Sequence, residues 1–505
     1  MWLDRSLTWR KHINEVICKC SKFMNVLKLM AGSSWGMHMT HLRRLYIALI
    51  RSRIDFGSFL YDCSAKSHTS KLDKIQNQAM RVIGGFIKSS PIHVMESELN
   101  IAPLFVRRQY LAYKYSLKIH SWANTSTRDL IYEINVLSNN RYWLNKKKPL
   151  LALTFNDIKD ISIASFDILR MYTFDVWLSA LTVQNVIKFD LENVTQAKSY
   201  YEPNILINNV VEELNKKYSG WYKIYTDGSK SAEGLGAGFF DPIQTQRVGF
   251  KINESVSIMT LELIAIFQAV THSIWKKYSK VVVFSDSKSA LQHVARCASG
   301  FRGASIAYDI LEAILILQRR NADVRLQWVP AHIGLKGNEE ADKIAKLAAK
   351  EGVEFSFCPD FFEYISRFKF KCFDNWKEYF RDKSNEKGIW YNCIQSQPRH
   401  SLWFDSNKLC RNYIKLAFRL RSGHYPSAKF AYLMKKTDSP NCDSCGKVED
   451  VQHLLMECAR NEEERQNFVK KFKINIKDVG WVQSILADPC STIAIELCRL
   501  VTFAS

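Results

Sequence analysis

The chain has 505 residues, too many for one ordinary domain, and its length predicts about three domains of roughly 100–200 residues each. With 47% hydrophobic and 24% charged residues, and only 20 glycines and 11 prolines, the composition excludes a mainly disordered, collagenous or low-complexity chain. The formal net charge of +21 favours a polyanionic partner, although solubility alone would also explain such an excess.

Several features favour an intracellular, reducing compartment. No run of residues approaches the roughly 18 uninterrupted apolar residues that a membrane span needs, so we expect no membrane partner. The start at Met1–Arg5 lacks the apolar core of a secretory signal. The 13 cysteines are odd in number and widely spread, which favours free thiols over a disulfide framework. Nothing in the sequence separates nucleus from cytoplasm or fixes the oligomeric state.

Residues 1–120 are predicted to form basic helices. Apolar side chains recur at helical spacing, as at Ile13, Val16 and Cys20, and the region holds 19 basic against 7 acidic residues. Residues 121–217 carry 11 charges of each sign and are interpreted as a connector with several short elements. The basic surface is therefore expected mainly in the N-terminal quarter of the chain.

Residues 218–352 predict an α/β domain with a five-stranded mixed sheet. The strands are marked by alternating or continuous apolar residues and are predicted at 222–226, 234–240, 246–252, 281–284 and 324–329. A helix is predicted between the third and fourth strands, two more before the fifth, and a last one at 339–350.

Four acids of this domain lie at predicted strand ends or early helical turns. Asp227 closes the first strand, Asp286 ends the fourth, Glu262 lies near the start of the first helix, and Asp342 lies in the first turn of the last helix, after Asn338 as its N-cap. If they converge, their oxygens suit Mg²⁺ or Mn²⁺, and two such ions could hydrolyse a phosphodiester. His332, in the loop before Asp342, could carry a proton.

Each of these residues alone has an ordinary structural explanation. Asp227-Gly228 could be a turn, Glu262 a solvated helix acid, Asp342 a partner of the helix dipole, and His332 a loop histidine. These explanations do not predict that all of them fall in one α/β domain.

The motifs around these residues resemble type 1 ribonuclease H. They are Thr226-Asp-Gly-Ser229, Met259-Thr-Leu-Glu262, Phe284-Ser-Asp-Ser287, Trp328-Val-Pro-Ala-His-Ile-Gly334 and Gly337-Asn-Glu-Glu-Ala-Asp342. The resemblance covers residues 218–352 and implies cleavage of the RNA strand of RNA–DNA hybrids, with the four acids as ligands of two metal ions and His332 in a mobile loop.

The neighbours of the acids are candidate nucleic-acid contacts. Gly228, Ser229, Thr260 and Ser287 could meet the backbone or the 2′-hydroxyl groups, which distinguish RNA from DNA. The stretch between Ala298 and Ile306 is short, so the extra basic handle of some family members is expected to be missing.

The N-terminal region resembles the segment after the polymerase palm in LINE-type, jockey-like retrotransposon polyproteins. The matching residues are Leu3-Asp4, Leu7-Thr-Trp9, His12-Ile13, Trp35-Gly36, Leu45-Tyr46, Ala48-Leu-Ile-Arg51 and Lys74-Ile-Gln-Asn-Gln-Ala-Met-Arg81. The resemblance implies thumb and connection helices that grip a template–primer duplex. The sequence has no Tyr/Phe-x-Asp-Asp motif, so polymerisation is not predicted. A basic helical bundle of other ancestry is the alternative.

Residues 353–505 predict a helical region that contains a zinc motif at 442–458. Cys442, Cys445, His453 and Cys458 have the residue types and spacing of a structural Zn²⁺ site, with His453 and Cys458 expected on one helical face. Similar clusters occur near the end of many of these retroelement polyproteins. Reduced thiols in a helical region are the alternative.

The leading hypothesis is a Mg²⁺-dependent endoribonuclease that acts on RNA–DNA hybrids, with possible binding of element RNA, as part of a retroelement product without its polymerase palm. The alternative is a catalytically idle remnant that binds nucleic acid. A transposase or integrase on a related sheet would share the strand-end acids, but the His332 loop is not expected there.

Overall fold

The structure is a computed structural model that describes residues 1–5, 8–32, 35–120, 125–158, 185–196, 198–300, 303–405, 409–476, 478 and 480–502. It divides into two compact units. The first comprises Met1–Ser116, Leu130–Asp157 and Phe368–Ser505, and the second comprises Leu117–Asp129 and Ile158–Arg367. Leu7 and, within the predicted connector, residues 121–124, 159–184 and 197 lie outside the described part of the chain.

The second unit contains a seven-stranded mixed sheet in the order β1-β6-β5-β2-β3-β4-β7. The strands are β1 Ile187–Lys188, β2 Tyr222–Ser231, β3 Gly234–Asp241, β4 Gln246–Ile252, β5 Lys280–Ser285, β6 Asp323–Trp328 and β7 Val353–Glu354. The predicted α/β domain with a mixed sheet is confirmed, but the count of five strands is wrong. The two additional strands, β1 and β7, lie at the two edges of the sheet. Each has two residues, which is too short to show an alternating pattern.

Strand β2 is longer than predicted and changes partners along its length. Its parallel pairing with β5 ends at Thr226 opposite Ser285, whereas its antiparallel pairing with β3 continues to Ser231 opposite Gly234. The prediction that Asp227 closes the strand is therefore wrong. Asp227 and Asp286 nevertheless each follow the last residue of the parallel β2–β5 pair, so both emerge at the same edge.

Among the described residues of this unit, five α-helices and a short 3₁₀ helix lie beside the sheet. They are Lys198–Tyr200 (3₁₀), Pro203–Lys217, Ile258–Trp275, Lys288–Ala298, Ser305–Arg319 and Lys336–Glu351. The helix Ile258–Trp275 is the one described helix long and apolar enough to cross a membrane by length and composition, yet more than half of it is buried in the unit. Its buried side chains, among them Leu263 and Ile266, belong to the main core under the sheet.

The last of these helices lies directly against the sheet because the facing strand residues are glycines. A Cβ atom on Gly236 would lie 2.1 Å from the carbonyl oxygen of Ala345, so only glycine permits this approach. The close packing fixes the position of Asp342, which the same helix carries.

A buried carboxylate connects β3 to the end of the helix Ile258–Trp275. Asp241 Oδ2 accepts hydrogen bonds from Tyr278 Oη at 2.5 Å and from His272 Nε2 at 3.0 Å, and its Oδ1 accepts from two backbone amides. Burial acts to raise the pKa of Asp241, but the hydrogen bonds from His272 and Tyr278 outweigh it, so the pKa lies below its usual value.

The first unit is helical. Its helices are Arg10–Met30, Met39–Leu45, Tyr46–Arg51 (π), Ser52–Asp55, Ser58–Tyr61, Lys66–Gly84, Ile92–Glu98, Leu104–His120, Thr125–Leu137, Arg141–Trp143 (3₁₀), Leu150–Ile158, Phe361–Glu386, Ile389–Ile394, Arg411–Ser422, Ala428–Leu433, His453–Glu457 (π), Ala459–Asn461 (3₁₀), Glu462–Phe472, Trp481–Ala487 and Thr492–Thr502. Four of them, Leu104–His120, Thr125–Leu137, Leu150–Ile158 and Phe361–Glu386, also include residues of the second unit.

The N-terminal and C-terminal regions of the sequence share one core in this unit. Ile13 and Leu42 belong to the same buried cluster as Phe418 and Val482. At its centre, the fully buried Glu98 accepts a hydrogen bond from Arg421 Nε at 2.8 Å, and Tyr391 and Trp403 donate to the same carboxylate. An ion pair across 323 sequence positions therefore joins the two regions.

Candidate active site and cysteine cluster

Three of the four predicted acids converge at the carboxyl edge of the β2–β5 pair. Oxygens of Asp227, Glu262 and Asp286 all lie within 4.8 Å of one another. Glu262 reaches this edge because Gly228 lets the helix Ile258–Trp275 approach the strand, since a Cβ on Gly228 would lie 2.7 Å from the amide nitrogen of Glu262. The local backbone thus explains why a glycine follows Asp227.

The fourth acid belongs to an adjoining group. The charge of Asp342 helps to raise the pKa of Asp227, and the carboxylate of Asp342 lies within 4.8 Å of ligand atoms of His332 and Glu339. The helix that carries it begins at Lys336 with Leu335 as its N-cap, so Asp342 lies in the second turn, and the prediction of a first-turn position after an Asn338 N-cap is wrong.

The clustering of like charges changes the acidity of these groups. Burial, together with the charges of Asp286 and Asp342, raises the pKa of Asp227 to about 8. Burial and the charge of Asp227 raise the pKa of Glu262 well above its usual range. Burial also raises the pKa of Asp286, although the hydrogen bond from Asn338 and the charge of His332 act in the opposite direction.

The structure adds residues that the sequence analysis did not assign to the site. Asn338 Nδ2 donates to Asp286 Oδ2 at 3.1 Å, Trp328 Nε1 donates to the backbone oxygen of Asp286 at 3.1 Å, and Lys346 pairs with Asp342 at 2.7 Å. Glu339, which has a ligand atom within 4.8 Å of those of His332 and Asp342, is a further such residue. The positions 338, 342 and 346 are four residues apart and share one helix face, a signal that the sequence did contain.

The loop that carries His332 is held in an unusual conformation. His332 has φ 49°, in the left-handed region that few non-glycine residues occupy, and it is exposed. Lys198 Nζ donates to the carbonyl oxygens of Ala331 and His332 at 2.9 and 2.8 Å. Gly334 donates its amide to Glu339 Oε1 at 3.3 Å. These contacts at both ends position the histidine beside Asp342.

The candidate nucleic-acid contacts occupy different environments. Gly228 and Ser229 are buried in β2 beside Asp227, and Ser287 is the half-buried N-cap of the helix Lys288–Ala298. Thr260 is buried, and its hydroxyl donates to Glu363. A contact between Thr260 and a 2′-hydroxyl stays a prediction that requires this hydrogen bond to open.

The acid cluster has the properties of a divalent-cation site. Its ligand atoms are carboxylate oxygens, which Mg²⁺ and Mn²⁺ prefer. Glu262 Oε2 is buried and has no hydrogen-bond partner among the residues that the structure describes. An orphaned carboxylate oxygen facing two other acids is unfavourable unless a cation compensates it, so the residues present fit such an ion.

The first unit contains the second predicted group of ligands. One ligand atom each of Cys442, Cys445, His453 and Cys458 lies within 4.8 Å of the others. The Sγ atom of Cys458 is 3.9 Å from that of Cys442 and 4.0 Å from that of Cys445. Tetrahedral Zn–S bonds of about 2.3 Å place two sulfur atoms roughly 3.8 Å apart, so the arrangement fits zinc.

Two local structures bring these ligands together. Gly446, at φ 68°, closes a turn in which its amide donates to the carbonyl oxygen of Cys442 at 2.8 Å. The expectation that His453 and Cys458 share a helical face is wrong, because the segment His453–Glu457 is a π-helix and Cys458 follows it in extended backbone. A hydrogen bond from the amide of Cys458 to the carbonyl oxygen of His453, 2.8 Å long, aligns the two instead.

The surroundings of Cys442 favour its thiolate. Burial acts to raise the pKa of Cys442, but the nearby His453 ring and hydrogen bonds from backbone amides outweigh it and lower the pKa to about 6. Arg460 lies 3.4 Å from the sulfur of Cys442 and 3.5 Å from that of Cys458. A cation beside the sulfur atoms offsets the charge that three thiolates bring to one zinc ion.

Comparison with known proteins matches the domain that carries the acid cluster. Residues 220–350 match the RNase H family model. The chain is 28% identical over 142 residues to Ribonuclease H1 of Rattus norvegicus and 27% identical over the same length to Ribonuclease H1 of Homo sapiens and of Mus musculus. These alignments cover 25% of this chain and 50% of each relative, so the chain spans about half the length of the curated relatives it matches.

Proposed function

We propose that this protein is an endoribonuclease that cleaves the RNA strand of RNA–DNA hybrids in a reaction that depends on two divalent cations. The observation that carries the proposal is the convergence of Asp227, Glu262 and Asp286, with the charge of Asp342 acting on Asp227. The match of residues 220–350 to the RNase H family supports the substrate class.

In this proposal the four acids bind the metal ions, and neighbouring residues position the acids. Bound Mg²⁺ supplies the positive charge that activates a water molecule and stabilises the departing oxygen of a phosphodiester. Asn338 fixes one oxygen of Asp286, and the packing at Gly228 fixes the backbone of Glu262, so the carboxylates are arranged before substrate arrives.

His332 is proposed to move the proton that the hydrolysis requires. Water attacks phosphorus and releases one proton to solvent, the bond from phosphorus to the 3′ oxygen breaks, and His332 passes a proton to that oxygen. The products are 3′-hydroxyl and 5′-phosphate ends, and His332 regains its proton from solvent. The exposed position of the ring, beside Asp342 and Glu339, suits exchange of this proton with solvent.

The test is cleavage of a 5′-labelled RNA–DNA hybrid over a Mg²⁺ titration. Glu262→Gln and Asp286→Asn are expected to lose cleavage by at least about 100-fold, because each removes a charged ligand. Asp323→Asn, which changes an exposed acid of the same unit, is the matched control and should retain wild-type activity. Equal cleavage by wild type and Glu262→Gln, in preparations free of contaminating nuclease, contradicts the proposal.

The alternative of an idle nucleic-acid-binding remnant makes a different prediction. Binding by basic side chains weakens with salt and needs no Mg²⁺, so hybrid would be bound but left intact at every Mg²⁺ concentration. The presence of all four acids favours the enzyme.

We also propose that the cluster of Cys442, Cys445, His453 and Cys458 holds a structural Zn²⁺ ion. The mutual distances of the ligand atoms support this site. Native mass spectrometry of the wild type should show one zinc per chain, and Cys458→Ser should lose it and lower the melting temperature. The exposed Cys393 gives the matched control Cys393→Ser, which should keep its zinc. A metal-free wild type purified with zinc present contradicts the site.

The origin in a LINE-type retrotransposon polyprotein is proposed on the ordered motifs of residues 1–120 alone. An open reading frame for a polymerase palm in the nucleotide sequence upstream of Met1 would support it, and an unrelated promoter there would contradict it.

A further inference from the structure

The first unit contains a large cleft, which we call the aromatic cleft. It has a volume of about 1280 Å³ and is lined by residues of the segments 59–73, 105–108 and 134–151, together with Arg5 and Trp9. Every lining residue belongs to the first unit, and the acid cluster belongs to the second. The cleft is therefore separate from the proposed nuclease site and needs its own explanation.

Aromatic rings on the wall of the cleft are open to solvent. Tyr142 is 63% exposed, and its ring makes an edge contact with that of Trp143 at 5.2 Å between centroids. Lys146 Nζ lies 3.6 Å from the centroid of the Tyr142 ring. Trp143 is half-buried. An exposed tyrosine ring with a cation and a second ring beside it is suited to a planar, anionic ligand.

The charge of the lining is strongly positive. Its basic residues are Arg5, Lys66, Arg108, Lys146 and Lys147, and its one acidic residue is Asp73. Lys147 and Arg108 each lie 2.5 Å from the buried carboxylate of Asp62, which is not part of the lining. The negative charge of Asp62 therefore compensates one of the positive charges of the lining. The remaining cations face the same space as the aromatic rings.

Two buried polar groups of the lining are left with unused hydrogen-bonding capacity. Arg108 is 4% exposed and Ser64 is 9% exposed. Arg108 Nη1 and Ser64 Oγ have no hydrogen-bond partner within the part of the chain that the structure describes. Buried polar atoms are nearly always satisfied, so these two indicate a ligand that supplies polar atoms inside the cleft.

We propose that the aromatic cleft binds unpaired nucleotides of a single-stranded nucleic acid. Tyr142 stacks on a base, and Trp143, whose ring plane is 86° from that of Tyr142, packs against the edge of this base. Lys66 and Lys146 contact phosphate, and Arg108 donates to the base edge. A single strand is favoured over a duplex because bases of a duplex are already stacked and paired. The volume exceeds the roughly 300–1,000 Å³ of a pocket for one small molecule, so the cleft has room for more than one nucleotide.

The test measures binding of a fluorescein-labelled 15-nucleotide oligouridine to the full chain by fluorescence anisotropy, in EDTA so that no cleavage occurs. The variant Tyr142→Leu/Trp143→Leu is expected to bind roughly 5–150-fold more weakly, since stacking contributes about 1–3 kcal/mol per base. Lys146→Gln should also weaken binding. The matched controls are Trp275→Leu, at a tryptophan that is 81% exposed and outside the cleft, and Lys436→Gln, at an exposed lysine, and both should bind as wild type.

Further measurements distinguish the occupants and guard against unfolding. An oligouridine carrying 5-iodouracil should crosslink to the peptide that contains residues 142–143 of the wild type, and a crosslink confined to other peptides overturns the proposal. Oligouridine should bind at least tenfold more tightly than uridine monophosphate, whereas equal affinity overturns the assignment of a strand. If polyglutamate displaces the labelled oligouridine as effectively as unlabelled oligouridine does, the proposal is overturned in favour of an acidic protein partner. Wild-type affinity of the double-leucine variant overturns it outright.

Discussion

Asp227→Asn is expected to stabilise the metal-free protein while it abolishes cleavage. Asp227 lies among like charges, and burial with those charges raises its pKa from 3.8 to about 8. Each pKa unit corresponds to about 1.36 kcal/mol. Because pH 7 lies roughly three units above 3.8, the raised pKa lowers the free energy of unfolding at this pH by at most on the order of 4 kcal/mol. The neighbouring acids also adjust their protonation and so relieve part of this repulsion. We therefore expect Asp227→Asn to raise the free energy of unfolding by about 1–4 kcal/mol.

The pH dependence has a definite sign. An acid whose pKa is raised by folding binds more protons in the folded than in the unfolded state between its two pKa values. Stability of the metal-free wild type should therefore fall as the pH rises from about 4 to about 8, and Asp227→Asn should flatten this decline. At pH 4 and below, where both states carry the proton, the two proteins should differ little.

The assay is thermal unfolding in EDTA across this pH range. A gain of 1–4 kcal/mol corresponds to a rise in melting temperature of roughly 3–10 °C for a unit of about 200 residues. Asp323→Asn, at an exposed acid, is the control and should leave the melting temperature unchanged. Added Mg²⁺ should stabilise the wild type more than the variant. An Asp227→Asn protein that is less stable than the wild type at pH 7 in EDTA would refute the repulsion argument.

Three further perturbations address other parts of the molecule. Glu98→Gln should lower the free energy of unfolding in urea by about 3–5 kcal/mol, because it leaves Arg421 buried without its counter-charge. The double variant Glu98→Gln/Arg421→Met should recover part of that loss. Wild-type stability of Glu98→Gln would contradict the buried ion pair. Asp241→Asn should lower stability at pH 7 by about 1–3 kcal/mol. Since the folded pKa of Asp241 is lowered, the wild type gains stability as the pH rises toward 4, and the variant should lack that gain; identical pH profiles would contradict the network. Lys198→Met should reduce kcat for hybrid cleavage about tenfold with little change in KM, because it frees the loop that positions His332; a change in KM alone would assign Lys198 to substrate binding.

The local sequence was sufficient to predict the main elements of the α/β domain. Apolar alternation and continuous apolar runs are consequences of the side-chain directions of a strand, so the five long strands could be identified without coordinates. The position of Asp286 directly after β5 followed from the end of its apolar run. The same reasoning failed for Asp227. Strand β2 continues past this acid because it stays paired with β3 after its pairing with β5 has ended, and pairing partners are not visible in a single segment.

Only the tertiary structure decided which distant residues meet. Asn338 could be interpreted as a helix cap from sequence, but it donates to Asp286 because the helix begins earlier and packs on glycines of β3. Lys198 reaches the His332 loop across more than 130 positions, and Glu98 pairs with Arg421 across 323. Contacts of this kind depend on how elements pack against each other, which local propensity and periodicity do not encode. The acidic and Cys/His motifs that suit metal ions, by contrast, can be recognised in the sequence from their residue types and spacing.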